Sequence, residues 1–288
     1  MSSFTAQQYL PSSSPNNNKS RGLISFTLRR MAGSYFLEAV ERASTRNGSR
    51  IVLALDVEGP KPLERAEEIL EEAGSFICSV KVNKHLVLPQ GLRAVKRLVE
   101  RAHELGLPAI ADCKSCDIGS TNRVEASLYF EAGFDALTVM PLAGWSQGLE
   151  EVFKLAEGED RGILAVAYMS HRGAEEFFNM VVYDEELGSF DKLHRVFLRR
   201  ALRWVSDGFI VGATRPEAIA QAKNVVGGKP IFSPGAVAQG GNPVEAVRAG
   251  ASYVIVGRAI CASERPGEKA REIRDAIQQL REASRGRA

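Results

Sequence analysis

Eight times between Ile51 and Gly257, a short apolar run rich in β-branched residues gives way to a longer stretch with helical periodicity. The runs are IVLALDV (51–57), FICSVKV (76–82), LPAIADC (107–113), DALTVM (135–140), GILAVAY (162–168), GFIVGA (208–213), PIFSPG (230–235) and SYVIVG (252–257). Between them lie segments such as PLERAEEILEEAG and GLRAVKRLVERAHELG, whose apolar residues recur every three or four positions. Near-continuous apolar strands are buried on both faces, the condition of a parallel sheet covered by helices. Eight strand–helix units predict an α/β fold, a single-domain (β/α)8 barrel over residues 34–288. The turn after the first strand, VEGPKP, lacks the G-x-G-x-x-G that would open a doubly wound dinucleotide-binding sheet. Gly74, Gly106, Gly133 and Gly250 fall where left-handed helix caps are expected.

Residues 1–33 are polar and rich in Ser, Asn and Pro, and are expected to be a disordered extension. They contain no apolar core followed by a small-residue cleavage site, so they do not read as a secretory signal. The chain as a whole is 44% hydrophobic and 25% charged with a net charge of +2, which argues against nucleic acid or an acidic membrane surface as partner. No apolar stretch reaches the roughly 18–20 residues that would cross a bilayer. Four cysteines make no disulfide framework, so a reduced, cytoplasmic protein is expected.

In a barrel of this kind chemistry sits at the C-terminal ends of the strands. Those ends are unusually polar here: Asp56, Lys81, Asp112, Lys114, Ser170, and glycine-rich segments after the seventh and eighth strands. The segment AIADCKSCDIGSTN (109–122) overlays two patterns, a C-x-x-C pair and the alternating charges Asp112, Lys114 and Asp117. Strand alternation places Asp112 and Lys114 on the face toward the mouth, and Ala111 and Cys113 on the face under the helices. A zinc site would need a second ligand pair, and Cys78, Cys261, His85, His103, His171 and His194 offer none at short spacing. Cys113 and Cys116 therefore read as small buried or half-buried residues. Charges kept at the inner ends of apolar strands are costly unless paired, and function is the usual reason to keep them.

In chain order, LALDV, SVKVNKHLVL, ADCKSCDIGSTN, YMSHRGA, SPGAVAQGG and IVGRAI resemble the orotidine 5′-monophosphate decarboxylase family in its compact prokaryotic and archaeal form. The resemblance runs from about residue 51 to 262, and its specific part is D-x-K-x-x-D-I followed by T-N. It implies decarboxylation of orotidine 5′-monophosphate to uridine 5′-monophosphate, the last step of de novo pyrimidine synthesis, with neither metal nor cofactor. Lys114 would be the cation and proton donor at C6, with Asp112 beside the substrate carboxylate. Lys81 and Asp117 would complete an alternating chain of charges. Asp56 and Lys81 would hold ribose hydroxyls, and Ser170 would read the pyrimidine edge. Gln239 and Arg258 would bind the phosphate, and Pro234, Gly240, Gly241 and Gly257 would be further substrate-binding residues of the same loops. Asp117 and Thr121 would reach into a neighbouring subunit, so a homodimer with shared sites is implied.

Two features depart from the family pattern. Arg172 stands where the family often has proline, and the segment 173–205 is long and has no evident placement. The nearest alternative is a Mg²⁺-dependent sugar-phosphate decarboxylase or aldolase of the same barrel superfamily, which shares a D-x-K-x-x-D core. The T-N after DIG, the MSH strand end and the GGN loop favour the pyrimidine enzyme. A catalytically silent binding barrel would lack at least one of the four charges, and all four are present.

Overall fold

The computed structural model describes residues 34–285, with side chains as far as residue 280. The expected disordered extension, residues 1–33, lies outside the described residues. Eight parallel strands close into a barrel: β1 (Ile51–Ala54), β2 (Ser79–Asn83), β3 (Ala109–Ser115), β4 (Ala136–Val139), β5 (Gly162–Tyr168), β8 (Gly208–Val211), β9 (Ile231–Pro234) and β10 (Tyr253–Val256), with β10 pairing back onto β1. Every residue of β1, β4, β5, β8 and β10 is buried, since helices cover the outside of the sheet and side chains fill its interior. All eight expected strands are present: β5 keeps its expected bounds, β2 and β3 start later and run on to Asn83 and Ser115, and the other five are trimmed. β1 stops at Ala54 because the Asp56 amide turns back to the Ala54 carbonyl at 2.9 Å.

One expected cap fails. Gly106, Gly133 and Gly250 have φ of 69°, 96° and 117°, but Gly74 is right-handed at φ −55°. There the helix α2 (Pro62–Ala73) runs directly into a 3-10 turn. The carbonyls of Gly74 and Ile77 are satisfied instead by the side-chain amide of Asn47, at 3.0 and 2.8 Å. Glycine is favoured at 74 by packing, because a Cβ would stand 3.3 Å from Leu105 Cδ1.

The N-terminal end of the barrel is sealed. Helix α1 (Tyr35–Asn47) lays Phe36 against Gly162, where a Cβ would clash at 2.6 Å, and Phe36 stacks on Phe232, which stacks on Tyr253. Two buried aspartates bracket the strand starts there. Asp207 accepts the amides of Ser34 and Ile163, and Asp135 accepts the amide of Ala109 and faces His103 Nε2 at 2.7 Å. Any sizeable pocket inside the barrel must therefore open at the other end.

The segment without an evident placement becomes a short helix α7 (Ala174–Phe178), a hairpin of β6 (Val181–Asp184) and β7 (Ser189–Lys192), and the helix α8 (Leu193–Arg203). The hairpin is inverted in polarity. Its inner face is ionic: Asp184, 1% exposed, meets Arg199 at 2.9 Å and Arg200 at 3.1 Å, and Asp191 meets Arg199 at 2.6 Å. Its outer face carries exposed Val181, Tyr183 and Phe190. Because Arg199 bridges two carboxylates, its loss leaves buried negative charge under-compensated. Arg199→Ala is expected to cost about 2–3 kcal/mol in urea unfolding and to make residues 185–188 the first site of limited proteolysis.

Candidate active site

At the open end, strands β2 and β3 bring three charges together. Lys81 Nζ lies 2.5 Å from Asp112 Oδ2, and Lys114 Nζ lies 2.6 Å from Asp112 Oδ1. Lys81 is 5% and Asp112 8% exposed. Burial alone would raise the Asp112 carboxyl, but the ammonium groups of Lys81 and Lys114 outweigh it and hold the group below the usual carboxylate range. Each buried charge thus has a partner, which makes burial tolerable.

The local backbone that produces this pair is not a regular strand. Asp112 and Lys114 do share the mouth side as alternation predicts, yet Lys114 has φ 52°, in the left-handed region. The β3–β4 register slips between Ala111 and Ser115 at the same place. Cys113 points the other way, where its thiol donates to the Thr138 carbonyl at 3.3 Å, and burial pushes its pKa up to about 11. It is therefore no nucleophile at neutral pH. Cys116, expected buried or half-buried, is instead exposed, because β3 ends at Ser115 and the chain turns outward.

These charges line one wall of a pocket of about 240 Å³. Asp56 shares that wall, and its buried Oδ1 has no hydrogen-bond partner, with His85 Nδ1 4.0 Å away. The lining continues through Gly257 and Arg258, next to Asp56, and through Ser170, Pro234 and Gln239, with apolar Val166, Ile210 and Ile255 also facing the pocket. Gly257 must be glycine, since a Cβ would stand 2.5 Å from Asp56 Oδ2. Gly235 is left-handed at φ 86° and lets Ser170 approach to where a Cβ would clash at 2.6 Å. Gly240 and Gly241 do not line the pocket. They close the loop behind Gln239, with the Gly241 carbonyl accepting the Val237 amide at 2.6 Å.

Asp117 and Thr121 are exposed and lie outside this chain's own pocket. Asp117 caps the Ile118 amide at 2.6 Å, and buried Asn122 braces the turn through both the amide and the carbonyl of Asp117. Sequence reasoning did not single out Asn122 as this brace. Nor did it single out Asn83, Met169 and His171, which line the pocket, or Thr138, whose hydroxyl donates to Asp112 Oδ1 at 3.1 Å. For Thr138 a signal existed: a hydroxyl inside a fully buried strand needs a partner.

The model of the orotidine 5′-phosphate decarboxylase / HUMPS family matches residues 49–273. The chain belongs to this family. It is 40% identical to the orotidine 5′-phosphate decarboxylase of Pyrococcus abyssi over 228 residues, 79% of this chain and 98% of that one. Among solved structures, it is similar to the Pyrococcus horikoshii enzyme at 37% identity and a TM-score of 0.65, covering 79% of this chain and 99% of that one. It is also similar to the Methanocaldococcus jannaschii decarboxylase complexed with the inhibitor BMP, at 28% identity and a TM-score of 0.68, covering 80% and 98%. The family match spans all eight barrel strands and every pocket-lining residue named above.

Because its pKa is depressed in the folded state, Asp112 contributes stability that is present above the unfolded carboxylate pKa and lost as pH falls through the folded value. Asp112→Asn leaves two ammonium groups without their shared anion. It is expected to lower the unfolding free energy by about 3 kcal/mol. Urea titrations should show that deficit equal at pH 7 and pH 5, shrinking only below about pH 4.

Proposed function

We propose that this chain decarboxylates orotidine 5′-monophosphate to uridine 5′-monophosphate, the closing step of de novo pyrimidine synthesis. The observation that carries the reading is the Lys81–Asp112–Lys114 triad, closed by contacts of 2.5 and 2.6 Å, on the wall of the one pocket described at the mouth of a barrel of this family. The absence of any membrane-length apolar helix among the described residues and four unpaired cysteines accord with a cytoplasmic setting.

The difficulty of the reaction is a carbanion at C6 of the pyrimidine with no ring position to receive the electron pair. When the bond from C6 to the carboxylate breaks, the pair stays on C6 and CO2 leaves. The Lys114 ammonium lies where that charge forms, stabilises it, and delivers a proton from Nζ to C6. Solvent then reprotonates the amine. The charge and the proton come from one side chain, so the proposed steps require neither metal nor cofactor. Asp112 holds Lys114 in place, and its own charge sits against the substrate carboxylate, a repulsion that ends when neutral CO2 forms.

Binding is divided among the other lining groups. Asp56 and Lys81 hold ribose hydroxyls, while Ser170 meets the pyrimidine edge. Gln239 and Arg258 take the phosphate. A guanidinium offers charge-assisted hydrogen bonds suited to phosphate oxygens. Grip on a remote phosphate can orient the ring for reaction. A homodimer completes the site: the partner subunit's Asp117 and the partner subunit's Thr121 reach the ribose. Exposed apolar side chains support this reading, because Val124 and Leu128 share one stripe of the helix α5 (Gly119–Glu131) with exposed Thr121, near exposed Ile118.

Purified protein mixed with orotidine 5′-monophosphate should lower the ultraviolet absorbance of the substrate, and Lys114→Ala should slow that change by at least about 1,000-fold. Absence of turnover by the wild type, or an equally active variant, would refute the reading. The shared site has its own test. Lys114→Ala and Asp117→Ala homodimers should each be nearly inactive, whereas re-equilibrated mixtures should recover about a quarter of wild-type activity, since half the dimers then hold one intact site. No recovery would mean that each chain works alone.

A further inference from the structure

Strand β4 consists of four buried residues, ALTV, and Thr138 is the polar one among them, 1% exposed. A hydroxyl in that position must find partners or carry a desolvation cost. Thr138 uses both of its hydrogen-bonding capacities on the neighbouring strand. Its Oγ1 donates to Asp112 Oδ1 at 3.1 Å and accepts the backbone N–H of Lys114 at 2.9 Å.

The need for the second bond lies in the β3–β4 ladder. Ala111 pairs with Leu137 and Ser115 pairs with Val139, so residues 112–114 of β3 face the single residue Thr138. Regular pairing cannot serve three residues with one, and backbone groups in such a bulge lose their ladder partners. The Lys114 N–H is one of these, and its residue is also the one at φ 52°. The Thr138 hydroxyl replaces the missing ladder acceptor, while the Thr138 carbonyl accepts the Cys113 thiol at 3.3 Å. One residue thus brackets the bulge from both its side chain and its backbone.

The bulge sets the direction in which the Lys114 side chain leaves the strand. The same hydroxyl holds Asp112 Oδ1, the oxygen that also receives Lys114 Nζ at 2.6 Å. We infer that Thr138 is a positioning residue for the proton-donating lysine: it holds the backbone of Lys114 and the carboxylate of Asp112 in one geometry. This rests on the decarboxylase reading above for its catalytic meaning, and on the bulge alone for its structural meaning. As Lys114 gives up its proton, Asp112 loses one cationic neighbour. The neutral Thr138 donor does not titrate, so the carboxylate keeps that hydrogen bond through the step.

Thr138→Val keeps the shape of the side chain and removes only the hydroxyl, whereas Thr138→Ser keeps the hydroxyl and removes the methyl. With orotidine 5′-monophosphate as substrate, Thr138→Val is expected to lower kcat at least about ten-fold with KM changed less than about three-fold. Thr138→Ser should stay within about three-fold of wild type in both. A role limited to filling space predicts the reverse, with Val near wild type and Ser impaired, and that result overturns the inference. Should Thr138→Val not fold, Thr138→Ala makes the same comparison against Thr138→Ser. Crystal structures of the wild type and the Val or Ala variant give a readout free of activity. In the variant, Lys114 should leave the left-handed region or Nζ should move away from Asp112 Oδ1, and unchanged geometry at both points overturns the inference. If the wild type turns over no substrate, the decarboxylase reading falls, and the structures still decide the role of Thr138.

Discussion

Asp112 is the anion on which the site depends. Two lysines from different strand positions would repel each other across the barrel mouth, and a lone carboxylate at that depth would protonate. Sharing one carboxylate, with Lys81 on Oδ2 and Lys114 on Oδ1, gives each cation an anionic partner and holds Asp112 ionised despite its burial. The arrangement leaves Lys114 partly open to the pocket, beside whatever the pocket holds. The proposed reaction would need such charges held in place before it starts. The barrel provides that rigidity, because Lys81 and Asp112 emerge from strands paired to one another.

The rest of the fold is arranged around that mouth. The opposite end is closed by Phe36 and the stacked rings of Phe232 and Tyr253, and by aspartates that bind strand-start amides. Glycines stand where the pocket wall brings backbone against side chain, as Gly257 does against Asp56 and Gly235 against Ser170. The ion-paired hairpin 181–192 belongs to the long segment that follows β5 and begins just after Ser170. Its inward charges tie it to the helix that follows rather than to the apolar core.

Much of this was legible because two-sided burial writes itself plainly into a sequence. GILAVAY can be little else than a covered strand, and the same holds for SYVIVG. The lining residues Asp56, Lys81, Asp112, Lys114 and Ser170 stood out as polar interruptions at the ends of such runs, whereas Gln239 and Arg258 were reached only through the family resemblance. Pattern reading failed where polarity and position part company. The hairpin escaped because its charged residues face inward and its Val and aromatic residues face outward, the opposite of the rule that locates strands. Gly74 was misread because its neighbouring carbonyls are satisfied by Asn47, a residue 27 positions away. Thr138 and Asn122 were missed because each acts through hydrogen bonds to residues outside its own local pattern.

By itself the sequence determined the eightfold strand–helix order and which charges end the strands, since both follow from short-range periodicity and from the cost of burying an unpaired charge. Only the tertiary structure decided how those charges meet. The slip of β3 against β4, the left-handed backbone at Lys114 and the bond from Thr138 arise from fitting three residues of one strand against one of its neighbour. That mismatch is a property of two strands in contact, and neither strand's sequence records it alone.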